Sequence, residues 1–187
     1  MVSNPRLRRL EADHRSMLEL KSQSDLIDFE VLSGLPPHKY RIRLRCRGVY
    51  LHPENNKKAI TVNHAVLVNL HSEYPRKQPA MKWETPIYHP NINRANGGVC
   101  IQYWAPSKSL ADLVMMLYDM VRYENYNVKS PLDTEAANWA NKNAARFPVD
   151  SRPLTKPEIQ ISIAEASEQS EEGSESDIIV ILPPTQP

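Results

Sequence analysis

The stretch KYRIRLRCRGVYL, Lys39 to Leu51, restricts the fold more than any other part of the chain. Tyr40, Ile42, Leu44 and Cys46 alternate there with Arg41, Arg43, Arg45 and Arg47. Successive side chains of a strand point to opposite faces, so the pattern predicts a strand with one buried face and one charged face. The same period of two runs through DFEVLSG (from Asp28) and AITVNHAVLVNLH (from Ala59), and the proline- and asparagine-rich segments GLPPH and HPENNKK separate the three runs. This is the signature of an antiparallel meander, to which the short run AMKWET adds a fourth strand.

Helical spacing appears on both sides of these strands. From Asn4 to Lys21, Leu7, Leu10, Met17 and Leu18 can share a face, and Asn4-Pro5 supplies an N-cap followed by proline at the first helical position. Arg6, Arg8 and Arg9 make its first turns basic. Ser109 to Asp112 resembles a capping box, with Leu110, Leu113, Val114, Leu117 and Val121 following at helical intervals. A last helix is expected after Asp133, with Ala136, Ala137, Ala140 and Ala144 as small packing positions. Between Tyr74 and Pro106 prolines leave mostly loop. Helix, strands, irregular stretch, helix, helix is an α+β order, with helix packed on antiparallel sheet.

Composition shifts near Pro148. Of the chain's 22 acidic and 23 basic side chains, residues 149–187 hold eight acids against two bases, leaving a basic body. The expected division is therefore a domain over 1–148 and an acidic tail rich in Pro, Ser and Glu over 149–187. Such a composition buries too little apolar surface to fold, and the tail is expected to be disordered. Its exception is the aliphatic run Ile178, Ile179, Val180, Ile181 and Leu182. The chain shows no apolar run of the roughly 20 residues that span a membrane and no secretory signal, and is read as cytoplasmic.

Two cysteines make neither a disulfide framework nor a four-ligand zinc site, and no histidine spacing suggests a metal. No cofactor is expected. Cys46 falls on the apolar face of its strand and reads as a small core residue. Cys100 instead follows the loop HPNINRANGG. Redox exchange would need a resolving partner, which is not visible nearby, and hydrolysis would need a histidine base, for which His89 or another of the six histidines remains open. The third possibility is transient carriage of an acyl group as a thioester.

The surround of Cys100, namely EYP, QPAMKWETPIYHPNI, GGVC, Trp104 and SPLDTEAA, resembles the ubiquitin-conjugating enzymes over roughly residues 4 to 147. Details such as GLPPHKYRIRLRCRGV and SLADLVMMLYDMVRYENYN are most similar to bacterial members found in operons with an activating enzyme, a JAB-type protease and a ubiquitin-like protein. The resemblance implies a UBC-like fold. It also implies that Cys100 receives a ubiquitin-like protein from an activating enzyme and passes it to a lysine amine of a substrate protein. By the same resemblance Asn91 donates to the oxyanion of aminolysis, or pins its loop through backbone bonds. Ser130 lies near the incoming lysine, and His89, Pro90, Gly97, Gly98 and Trp104 brace the loop, with the glycines leaving room for a bulky thioester. The first helix docks the activating enzyme through Arg6, Arg8 and Arg9.

Two departures stand out against the family. Asn91 to Cys100 is about one residue longer than usual, and Trp104 follows the cysteine about four residues sooner. Arg76 stands where many members carry an apolar residue that docks RING-type ligases, which puts ligase use in doubt. Two other readings compete: a non-catalytic module of the same fold, or a binder of nucleic acid or an acidic partner through Arg41, Arg43, Arg45 and Arg47. Nucleic acid is not expected, because that strand lacks interleaved exposed aromatics. The run 178–182 has the bias of a strand that adds to another sheet, either on the ubiquitin-like partner or on the protein's own arginine face.

Overall fold

A computed structural model describes residues 4–147 and 150–154. Helix α1 (Pro5–Gln23) leads into strands β1 (Ile27–Gly34), β2 (Pro37–Leu44), β3 (Gly48–Leu51), β4 (Lys58–Thr61), β5 (His64–Asn69) and β6 (Ala80–Trp83). Helices α2 (Leu110–Val121) and α3 (Thr134–Asn143) follow, and a 3-10 turn closes the series at Ala144–Arg146. β1, β2, β5 and β6 form one antiparallel sheet in that order, while β3 and β4 form a separate ribbon.

The α+β expectation holds, with one revision to the strands. The predicted run from Lys39 to Leu51 breaks beyond Arg45, which still follows the β1–β2 register, because Arg47 leaves the ladder for another partner. Arg45 N–H donates to the Leu26 carbonyl, and Arg47 N–H donates to the Asp150 carboxylate at 3.0 Å. The run from Ala59 breaks likewise, at Val62–Asn63. Within β2 the alternation is as read: Tyr40, Ile42, Leu44 and the following Cys46 are fully buried. On the opposite face Arg41 pairs with Glu30 and Glu84, and Arg43 with Glu30. Two of the four stripe arginines thus meet carboxylates on the same face.

Asn4 caps α1, accepting from Arg6 N–H at 2.9 Å, with Pro5 as its first residue. Its buried stripe is Leu10, Asp13, Met17 and Leu20, whereas Leu7 and Leu18 are 43% and 50% exposed. At 3.6 residues per turn Leu7 and Leu18 do share an angle, but it lies about a third of a turn from the stripe's centre. A stripe of leucines alone misses this, because Asp13 is the charged residue that completes it. Asp13 accepts from Arg9, from the Tyr74 hydroxyl at 2.6 Å and from Leu110 N–H at 2.9 Å, which ties α1 to the start of α2. Ser109 and Asp112 form the predicted capping box, and all five predicted apolar positions of α2 are buried. Asp133 caps α3, with Ala136, Ala137 and Ala140 buried. Ala144 is exposed, since the helix has tightened into the 3-10 turn there.

Residues 150–154, beyond the boundary expected at 148, pack on the body. Asp150 grips Arg152, the Arg152 carbonyl accepts from the Tyr118 hydroxyl and from Arg122, and Leu154 enters the main core. The aliphatic run 178–182 lies outside the described residues. Among the described residues no helix is long and apolar enough to cross a membrane.

Candidate active site

The loop around Cys100 is a hairpin hung on the edge of the main sheet. Ile92 bridges Val99, Asn93 exchanges backbone bonds with Gly97 and Gly98, and Cys100 N–H donates to the Asn91 carbonyl at 3.0 Å. At the turn the Asn93 side chain accepts from Ala95 and Asn96 N–H, a local motif that suits asparagine. Gly98 bridges Lys82, and Trp83 N–H donates to the Gly97 carbonyl at 2.7 Å, so the longer turn is absorbed as an extension of β6.

That geometry explains the first of the paired glycines in a way its sequence position does not. Gly97 has φ +74°, and a Cβ there would meet the Trp83 carbonyl oxygen at 2.3 Å. Glycine is required because the turn lies directly against β6.

His89, Pro90 and Asn91 are buried and each fixes a different neighbour. His89 Nδ1 accepts from Asn91 N–H at 3.1 Å, so its proton sits on Nε2, which has no partner among the described residues. Burial lowers its pKa to about 3. The ring is neutral, enclosed and packed on Tyr123. The Pro90 carbonyl accepts from both Leu132 and Asp133 N–H, at 2.7 and 3.0 Å. Asn91 Nδ2 donates to the Asn127 carbonyl at 2.9 Å, and Asn127 N–H donates to Asn91 Oδ1 at 2.6 Å. Ser130 is exposed on the segment held between these anchors.

The two thiols differ sharply. Cys100 is partly exposed and Cys46 fully buried. Desolvation, with Asp150 adding to it, pushes Cys46 up to about 12. After Cys100 the chain turns through Gln102 in the left-handed region (φ 65°), leaving Tyr103 67% exposed. Trp104 then donates to the Pro75 carbonyl at 2.8 Å and packs on Tyr74, which explains how a shortened connection still closes on the neighbouring loop. A cleft of about 570 Å³ lies between the end of β6 and the hairpin turn, lined by Trp83, Thr85, Ile92 and Asn96 among others. Cys100 is not among its lining residues.

The basic turn of α1 divides. Arg6 donates to the carbonyls of Leu70, His71 and Tyr74, and Arg9 to Asp13, the Tyr74 hydroxyl, Pro106 and Lys108. Only Arg8 of the three is exposed. Sequence reasoning did not find Asn127, Arg94, Tyr123 or Asp133 as members of the site's support. Asn127 acts through its backbone, and Tyr123 through a left-handed φ of 60° and a hydroxyl bonded to the Tyr88 carbonyl, none of which is a pattern of residue types.

Residues 61–152 match the family model described as Ubiquitin-conjugating enzyme. A Dictyostelium discoideum protein, ubiquitin conjugating enzyme E2 B, is 28% identical over 92 residues, covering 48% of this chain and 61% of its own length. Ubiquitin-conjugating enzyme E2 16 of Schizosaccharomyces pombe is 34% identical over 74 residues, covering 37% of this chain and 45% of its own. The chain therefore aligns with less than two thirds of either relative. Among solved structures, a ubiquitin conjugating enzyme from Trypanosoma cruzi superposes with TM-score 0.54 at 16% identity, covering 75% of this chain and 91% of that one. One from Plasmodium yoelii gives 0.52 at 18%, covering 73% and 86%. At these identities the structural likeness establishes the fold, which is the UBC fold.

Proposed function

We propose, from the match of residues 61–152 to the family model described as Ubiquitin-conjugating enzyme, that Cys100 accepts the C-terminal acyl group of a ubiquitin-like protein from an activating enzyme and passes it to a lysine amine. The observation that carries this reading is the placement of Cys100. Cys100 is partly exposed, its N–H is held by the Asn91 carbonyl, and the same loop anchors the Ser130 segment through Pro90 and Asn91.

In the first step the Cys100 thiolate attacks the activated carbonyl and displaces the activating enzyme's thiolate. In the second, a lysine amine adds to the thioester carbonyl, the C–S bond breaks, Cys100 leaves as thiolate, and the ammonium proton passes to solvent. Charge develops on the carbonyl oxygen in between. A side-chain amide has two hydrogens. Asn91 gives one to Asn127 and retains one for that oxygen, so loop bracing and oxyanion donation are compatible roles. Ser130, exposed on the anchored segment, lines the lysine's approach, and His89 holds the loop without acting as a base.

The activating enzyme docks on α1, with Arg8 as the exposed charge. The run 178–182 recruits the ubiquitin-like protein non-covalently. The resemblance to bacterial operon-encoded members supports a ubiquitin-like partner and activating enzyme encoded beside this protein, acting in the cytoplasm. Arg76, exposed beside the Trp104–Pro75 junction, supports transfer without a RING-type ligase.

The deciding experiment incubates the protein with a cognate activating enzyme, ATP and the ubiquitin-like protein, and resolves the product with and without thiol reductant. A reductant-sensitive adduct is expected. Its absence under conditions that charge the activating enzyme would sink thioester carriage.

A further inference from the structure

Arg94 occupies the turn of the Cys100 hairpin, where the family resemblance assigns no role, yet it is the side chain that joins this hairpin to α3. Its Nη2 donates to Glu135 Oε2 at 2.7 Å and lies 3.4 Å from Asp133 Oδ1, its Nε meets Asp133 Oδ2, and its guanidinium stacks over the Tyr88 ring at 5.1 Å. The Asp133 carboxylate is 5% exposed and also caps α3 by accepting from Ala136 N–H at 3.0 Å.

From these contacts we infer that Arg94 is a positioning residue for amine transfer, an inference that rests on Cys100 being the thioester carrier. The exposed Ser130 segment hangs between two fixed points. Upstream, Asn127 is held by Asn91; downstream, Asp133 is held by the Pro90 carbonyl and by Arg94. Both points belong to the hairpin whose end is Cys100, so the acceptor side and the thioester side share one frame. The Asn91 and Pro90 links fasten the base of the hairpin. Gly97 and Gly98 fasten its turn to β6, and Arg94 fastens that turn to the start of α3, through charge-assisted bonds to Asp133 and Glu135. Without it the turn keeps its bonds to β6 but loses its tie to Asp133 and Glu135, and the Ser130 segment loses register with the thiol. An attacking amine must sit about 3–3.5 Å from the carbonyl carbon, and small displacements from that position cost rate steeply.

The test uses the full chain and a synthetic peptide ending in Gly-Gly, carried as a C-terminal alkyl thioester, so no natural partner need be identified. Cys100 thiolate displaces the alkyl thiolate, and free lysine then releases the peptide as an amide while returning the thiolate. Intact mass follows loading and discharge separately. Arg94→Ala is expected to load within about 2-fold of the parent but to discharge to lysine about 10-fold more slowly at saturating lysine, with part of the rate recovered in Arg94→Lys. Hydrogen exchange of the Leu132 and Asp133 amides, both bound to the Pro90 carbonyl, is expected to rise about 10-fold in Arg94→Ala. Unchanged discharge, or equal losses in loading and discharge, would overturn the inference, and so would unchanged exchange at those two amides. If the parent protein takes up no acyl group, it is the thioester reading that fails, and the exchange measurement still decides whether Arg94 holds the segment.

Discussion

The Asn91 side chain stands in for a peptide unit toward Asn127, giving a hydrogen bond to its carbonyl at 2.9 Å and receiving one from its N–H at 2.6 Å. Asn91→Ala leaves both backbone groups unpaired at a 1% exposed site, and is expected to lower stability by about 1–3 kcal/mol. Asn91→Asp keeps an acceptor for Asn127 N–H while removing the donor. Thioester discharge by the Asp variant should therefore fall about 100-fold while charging continues. Discharge at the parental rate in a folded Asp variant would end the oxyanion role and leave only the brace.

The contrast between the thiols gives a second expectation. Native protein at neutral pH should take up one equivalent of iodoacetamide, at Cys100, with Cys46 reacting only on unfolding, because burial raises it to about 12. Cys100→Ser should form a slower adduct that resists reductant, and Cys46→Ser should charge normally. Peptide mapping of the alkylated and charged species checks both; a modified Cys46 in native protein contradicts the assignment.

On α1 the three arginines should separate. Arg8→Glu is expected to slow charging by the activating enzyme chiefly at low ionic strength, since exposed charge contacts are screened within about 10 Å at 0.1 M salt. Arg6→Ala and Arg9→Ala should act through lost stability instead, because their guanidiniums bond to internal carbonyls, Asp13 and Tyr74. Charging rates for Arg8→Glu that match the parent across a salt series would remove α1 charge from the docking account.

Two buried histidines set an acid sensitivity. Burial lowers His64 to about 4 and His89 to about 3 from an unfolded value near 6.5. A depressed folded pKa means that the unfolded chain takes up the proton first. Their contribution is complete above about pH 6.5 and is lost as pH falls toward 4. Each histidine adds at most about 1.4 kcal/mol per pH unit to that loss. Urea titrations at pH 7, 6 and 5 check it, and a flat profile refutes it.

For the tail, deletion of residues 174–187 should weaken non-covalent binding of the ubiquitin-like protein and leave peptide-thioester loading of Cys100 unchanged. Titration calorimetry of full-length and truncated protein across a salt series measures this. Indistinguishable isotherms would remove Ile178–Leu182 from recruitment.

What could be read from sequence was what depends on period and on residue type at a cap. The alternation at Tyr40–Arg47, the cap at Asn4, the capping box at Ser109 and the cap at Asp133 were all legible, because each is a local rule satisfied by adjacent residues. Cys100 and Asn91 were legible only through a family pattern. What stayed hidden depends on long-range pairing. Asp13 is buried because Arg9, Tyr74 and Leu110 converge on it, and the strand break at Arg47 exists because a carboxylate about a hundred residues later takes its N–H. Arg94 carries no local signal, since its partners sit some forty residues on, at the start of a helix.

The strap at residues 150–154 bears on how the protein is made. A nascent chain that has emerged only as far as α3 holds every strand and helix described here, yet Arg47 N–H and the Tyr118 hydroxyl still await Asp150 and the Arg152 carbonyl, and the place of Leu154 in the core is unfilled. Domains tend to fold as units while they are being synthesised. Here the Arg47 link after the sheet's second strand and the central helix reach their final partners only once the chain beyond the last helix has left the ribosome.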